Sequence, residues 1–177
     1  MTRSYRLGKR QPAVDATAHS VVAAARELVR QNPAGEVSVA EIARRAGVSR
    51  ITVYNRFGSR QGVLGALRAM DPQAAPADGD PTDGLRRHLA AACSRWAADP
   101  ALFRNLAPIE ADDRARLLAE RLAAGDALRP GCSLREAEDV IGALSSFAVF
   151  DRLHHDGRRP AASVADILMR LAAGILA

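Results

Sequence analysis

The chain has 177 residues, 48% of them apolar, and a formal net charge of +5. That length and apolar share can build one ordinary domain, or a small one beside a medium one, and they exclude a chain disordered throughout. The charge is uneven: Met1 to Arg60 holds eleven basic against four acidic residues, net +7, and Gln61 to Ala177 holds fourteen against sixteen, net −2, so a footprint for a polyanion lies at the N-terminal end.

Met1 to Pro12 is polar, basic and unpatterned and reads as a flexible arm, whose Arg3, Arg6, Lys9 and Arg10 either follow a minor groove or stay solvated. A helix is predicted from Asp15 or Thr17 to about Gln31, with Val21, Val22, Ala25, Leu28 and Val29 as its buried stripe, and Asn32-Pro33-Ala34-Gly35 stops it. The stretch Ser38 to Arg60 carries two short helical patterns separated by Ala46-Gly47-Val48, the punctuation of a helix-turn-helix. Ser38 with Glu41 is a capping box, and Val39, Ile42, Ala43 and Ala46 recur on one face. Ser49 caps the second helix. Winding it at about 100° per residue puts Val53 and Phe57 inside, while Ile51, Thr52 and Asn55 point outward, flanked by Tyr54 and Arg56. An outward Ile is out of place on a solvated helix. In the major groove it meets a thymine methyl, Asn55 pairs with adenine, Arg50 or Arg56 forks onto guanine, and the hydroxyls of Ser49, Thr52 and Tyr54 reach phosphates.

The run VSRITVYNRFGSR, with an amphipathic helix before it and an apolar one after, resembles the DNA-binding segment of the TetR family of bacterial transcriptional regulators. The resemblance implies Thr52 and Tyr54 as backbone or base contacts, Val53 and Phe57 as core, Ser59 as the next cap and Arg60 as a phosphate contact. Ser38 joins the expected DNA-binding set of Ser49, Arg50, Ile51, Thr52, Tyr54, Asn55, Arg56 and Arg60. The family usually has an aromatic residue or His at position 56, so Arg56 adds a phosphate or a guanine contact. Ala40 has no reach from the supporting helix.

Ser59 begins a fourth helix with Val63, Leu64 and Leu67, ending near Met70. Its Gly62 and Gly65 each cost about 1 kcal/mol against Ala, so they either soften a lever or permit close packing. The Pro, Asp and Gly run Asp71 to Asp83 marks a boundary or long loop. Five helices follow: Thr82 to Ala98, Pro100 to Leu106, Ala111 to Leu128, Leu134 to about His155, and one from Ser163. Ser133 with Glu136 is a second capping box. The expected fold is therefore all-α, about nine helices: an arm over 1–12, a three-helix DNA-binding domain over 13–60, and a helical ligand-binding and dimerisation domain over 61–177.

For that second half, Gly142, Ser145, Ser146 and Val149 form a small-residue strip at helical spacing, and with Ile167, Leu168, Leu171 and Ile175 they are the candidate homodimer interface. The other reading is that the strip faces helices of the same chain. Trp96, Phe103, Leu106, Phe147 and Phe150, with His88, Cys93, Asn105 and Asp151, are candidates for an apolar effector cavity. Catalysis has no support: His154 and His155 point about 100° apart, Asp112-Asp113 reads as dipole-favourable charge, and no phosphate loop or nucleophile motif occurs. No metal or cofactor is expected. Cys93 and Cys132 have no metal spacing and are too few for a disulfide framework. With no long apolar run and no signal-peptide pattern, the expected location is cytoplasmic, away from membranes. The expected partners are double-stranded DNA, a second copy of the chain and a small effector that releases a repressor from an inverted repeat. The alternative is a dimeric architectural or protein-interaction module that senses no ligand.

Overall fold

The computed structural model describes residues 10–69, 79–106 and 113–177. Among them are ten α-helices and one π-turn, with an isolated antiparallel bridge between Leu128 and Leu176 as the sole extended pairing. The all-α expectation holds. The chain divides into two compact units.

The first unit contains α1 (Arg10–Gln31), α2 (Val39–Ala46), α3 (Arg50–Phe57) and α4 (Arg60–Ala69). Helix α1 starts at Arg10 rather than near Asp15, because Pro12 sits in its first turn, where a missing N–H costs nothing. Arg3, Arg6 and Lys9 of the predicted arm lie outside the described residues. The α1 stripe of Val21, Val22, Ala25, Leu28 and Val29 is buried as expected, packing on α2 and α4. Ile42 and Ala43 come from α2, Val53 from α3, and Val63, Leu64 and Leu67 from α4. The sequence places helix α4 with the second half, over 61–177. It packs on α1 and α3, because its buried stripe faces them, and so the first unit runs through it.

Ser38 and Glu41 form the complete capping box at the start of α2. The Ser38 hydroxyl accepts from the Glu41 N–H at 3.2 Å, and the Glu41 carboxylate accepts from the Ser38 hydroxyl at 2.7 Å and its N–H at 2.9 Å. These bonds, the hydroxyl's foremost, hold the Glu41 carboxyl below the ordinary carboxylate range. A lowered folded pKa gives a contribution that is complete above the unfolded value and is lost as pH falls through the folded one. Ser38→Ala is expected to cost about 1 kcal/mol near neutrality, and less in acid where Glu41 is protonated, as read by urea unfolding at the two pH values.

The second unit contains α5 (Pro81–Ala98), α7 (Arg114–Ala124), α8 (Leu134–Leu144), α9 (Phe147–Asp151), a π-turn (Arg152–Asp156), α10 (Ala161–Ala172) and the first residues of α6 (Pro100–Asn105). Asp80 caps α5 by accepting from the Asp83 N–H at 3.0 Å, and Ser133 caps α8 by accepting from the Glu136 N–H at 3.1 Å. The predicted boundary run is outside the described residues up to position 78. Helix α5 packs on α7, α9 and α10, and α7 on α8. The core they enclose includes Leu85, Leu89, Leu118, Leu122, Ile141, Phe150, Val164 and Leu168.

The single helix predicted from Leu134 to His155 is broken. Its backbone turns at Ser145 and Ser146, where the Ser146 hydroxyl accepts from the Val149 N–H and starts α9. A serine hydroxyl competes with the helical ladder and caps a new helix as readily as it tolerates an old one. The last helix ends at Ala172, so Ile175 and Leu176 belong to a tail in which Ala177 donates to the Ala127 carbonyl and Arg129 to that of Ile175, both at 3.0 Å. No helix of the described residues is long and apolar enough to cross a membrane.

Candidate nucleic-acid interface

Helix α2 ends at Gly47, whose backbone takes the left-handed conformation at φ 69°, and the Val48 N–H donates to the Ala43 carbonyl at 3.0 Å. A residue with a Cβ would be strained there. Two residues later Ser49 opens α3, its hydroxyl accepting from the Thr52 N–H at 3.0 Å. Only Val53 of α3 is fully buried, with Phe57 half-buried beside it. The helix is held by one stripe and offers the rest of its surface outward.

That outward surface is the predicted one. Ile51 is 71% exposed and Tyr54 51%, and Arg50, Asn55 and Arg56 are exposed between them. Thr52 is half-buried and lies 2.8 Å, oxygen to oxygen, from Ser49. Ser49 already accepts one N–H, so whichever hydroxyl donates in that pair, one hydroxyl proton remains for an outside acceptor such as a phosphate oxygen. Arg44 and Arg45, exposed in the last turn of α2, add positive charge beside the turn. They were absent from the sequence-predicted contacts, since basic residues in a last turn are explained equally well by the helix dipole.

Two predicted contacts are placed elsewhere. The Ser38 hydroxyl proton goes to Glu41, so donation to phosphate would break the capping box. Arg60 turns inward, its Nη1 donating to the carbonyl oxygens of Ala34 at 3.0 Å and Gly35 at 2.6 Å.

The family model described as bacterial regulatory proteins of the tetR family matches residues 21–67, from the buried stripe of α1 to the last buried leucine of α4. Residues 21–67 are a TetR-family DNA-binding segment. The HTH-type transcriptional regulator AlkX of Mycobacterium tuberculosis is 44% identical over 54 residues, 29% of this chain and 26% of that one. An uncharacterised HTH-type transcriptional regulator of Mycobacterium bovis is 33% identical over 87 residues, 47% of this chain and 46% of that one. The chain thus spans about a quarter and just under half of the lengths of these two curated relatives. Among solved structures, NalD of Pseudomonas aeruginosa, the secondary repressor of the MexAB-OprM multidrug efflux pump, superimposes with a TM-score of 0.67 at 18% identity, covering 94% of this chain and 98% of that one. That likeness of fold reaches beyond the matched segment.

The second unit brings part of the predicted ligand set together. Trp96 lies 6.0 Å from Phe147 and 5.4 Å from Phe150, ring centre to ring centre, and Phe103 lies 5.8 Å from Phe147. Such separations suit edge-to-face and tilted ring pairs. Cys93 is buried beside them, and burial pushes its thiol up to about 11, so it packs as a small apolar group rather than as a nucleophile. His88 Nε2 and the Ser145 hydroxyl are hydrogen-bonded at 3.1 Å. Leu106 and Asp151 are half-buried. Asn105 and Leu106 leave the set. Arg104 to Leu106 cluster with the first unit, where Asn105 Nδ2 donates to the Val29 and Arg30 carbonyls at 2.8 and 3.3 Å. An amide so placed caps the end of α1, where carbonyls lack helical partners.

The dimer set is thinned too. Leu168 and Ile175 are fully buried in their own unit and are unavailable to a second copy. The helix break dissolves the single face assumed for Gly142, Ser145, Ser146 and Val149. Gly142 and Leu171 are exposed, the latter 56%, while Ser145, Ser146, Val149 and Ile167 are half-buried.

Proposed function

We propose that this chain is a sequence-specific DNA-binding transcriptional regulator of the TetR family, acting as a homodimeric repressor that a small, mostly apolar effector releases from an inverted-repeat operator. The observation that carries the reading is the outward face of α3, where an exposed Ile51 stands among Arg50, Tyr54, Asn55 and Arg56. In water that isoleucine gains nothing from exposure. Against a thymine methyl it removes apolar surface from water at about 25 cal/mol per Å². The same pose lets the Asn55 amide donate to adenine N7 and accept from its N6, while Ser49 or Thr52 and Tyr54 donate to the flanking phosphates. A two-fold dimer repeats the contact one helical turn away, which is why the operator should be an inverted repeat. The exposed Gly142 and Leu171 are retained as interface candidates.

Repression and effector release rest on likeness to NalD, described as a repressor, together with the aromatic cluster around Trp96. An effector that binds one of two conformations better shifts the population toward it, and the free energy available is its difference in affinity.

Selection of bound duplexes from a random pool tests the reading. Recovery of an inverted repeat is expected. Tyr54→Phe should weaken binding to all sequences alike, and Asn55→Ala should erase the preference at one base pair per half-site, about 1–3 kcal/mol. Enrichment of no duplex, or of sequences without symmetry, would count against it.

A further inference from the structure

We propose that Arg60 is a positioning residue, which fixes the angle of the reading helix by clamping the turn between α1 and α2 instead of contacting phosphate. The inference rests on the DNA-binding reading of α3 and adds a role for a residue outside its exposed face. Arg60 is the first residue of α4, directly after the corner that ends α3, yet its guanidinium reaches back 25 and 26 residues to Gly35 and Ala34. Both bonds come from Nη1, which carries two N–H groups, so each carbonyl has its own proton. A charged donor makes these bonds stronger than neutral ones, and the turn they hold follows the negative end of the α1 dipole.

The clamped turn is itself anchored. Ala34 is buried, its N–H donates to the Asn105 carbonyl at 2.9 Å, and the Glu36 N–H donates to that of Pro33 at 2.9 Å. Helices α2 and α3 are strung between this turn and Arg60, so the side chain closes a ring that contains both. Turning the guanidinium out to a phosphate would strip the Ala34 and Gly35 carbonyls of their partner and open the ring. Arg60 therefore acts through α3, and its charge is spent inside the protein.

The test compares the full-length chain with Arg60→Gln in two arms. In the first, affinity for a selected operator duplex is measured across a salt series. A residue that neutralises a phosphate changes the slope of log K against log salt by about 0.9 per contact. The clamp predicts an unchanged slope with affinity down about ten- to hundredfold at every salt concentration, the scale of lost charged hydrogen bonds. In the second, without DNA, the Ala34 and Glu36 amides should exchange with solvent faster in the variant. A slope reduced by about 0.9 per subunit overturns the proposal, as does unaltered amide exchange. Should Arg60→Gln fail to fold, Arg60→Lys, which keeps the charge and loses the planar guanidinium, is measured in its place by amide exchange, and that readout then decides. If the parent chain binds no duplex, the regulator reading fails, while the exchange arm still decides the clamp.

Discussion

Phe150→Ala is expected to cost the second unit about 3–5 kcal/mol, more than any exposed substitution in the chain. The ring is completely buried and sits at the junction of three others: 5.4 Å from Trp96, 6.0 Å from Phe147, and stacked 4.8 Å from His154. It belongs to the same buried cluster as Leu89, Ile141 and Leu168, and in a close-packed core neighbours fill a shrunken side chain's place only at a cost to their own packing. Against a typical domain stability of about 5–15 kcal/mol, that loss is a large fraction of the whole. The readout is specific, because Trp96 is the chain's single tryptophan and belongs to the same cluster. Its fluorescence in a urea titration reports this core and no other. Leu134→Ala, at the exposed first position of α8, is the control and should stay within about 0.5 kcal/mol. A cost below about 1.5 kcal/mol for Phe150→Ala would mean the ring already borders empty space. The packed-cluster description would then be wrong, and the effector reading would gain the cavity it needs.

What the sequence disclosed and what it hid divide along the range of the interactions. The capping box of Ser38, the Ser133 cap, the Gly47 turn and the outward set around Ile51 depend on residues within one or two turns of each other, and each was legible. Arg60 and Asn105 were misplaced because their partners lie 25 to 76 residues away, and nothing in a basic or amide residue says whether it faces solvent or a distant carbonyl. The break at Ser145 and Ser146 was hidden for another reason. The apolar spacing continues through it in Phe147 and Phe150, so periodicity alone cannot distinguish one long helix from two capped ones. Leu168 and Ile175 illustrate the same limit, since an apolar stripe does not state whether it packs on its own chain or on a copy.

Gly62→Ala and Gly65→Ala should have opposite signs, though the two glycines sit three residues apart in one helix. Replacing glycine by alanine in a helix interior normally gains about 1 kcal/mol, because the unfolded chain loses freedom and the folded one loses nothing. Gly65 is exposed, and a Cβ there meets nothing within 4 Å, so Gly65→Ala should deliver roughly that gain. A Cβ on Gly62 would instead run into the carbonyl oxygen of Phe57, the last residue of α3. That oxygen is backbone and already accepts from the Ser59 N–H at 2.8 Å, so it cannot move without opening the corner between α3 and α4. Overpacking of this kind costs about 1–3 kcal/mol, enough to reverse the helical gain. Thermal unfolding should therefore fall for Gly62→Ala and rise for Gly65→Ala, by about 2–4 °C per kcal/mol for a chain of this size. Because the displaced carbonyl ends α3, Gly62→Ala should also weaken operator binding beyond the fraction of protein it unfolds. Equal stabilisation by both changes would show that the corner yields freely, and Gly62 would then be a point of flexure rather than of contact.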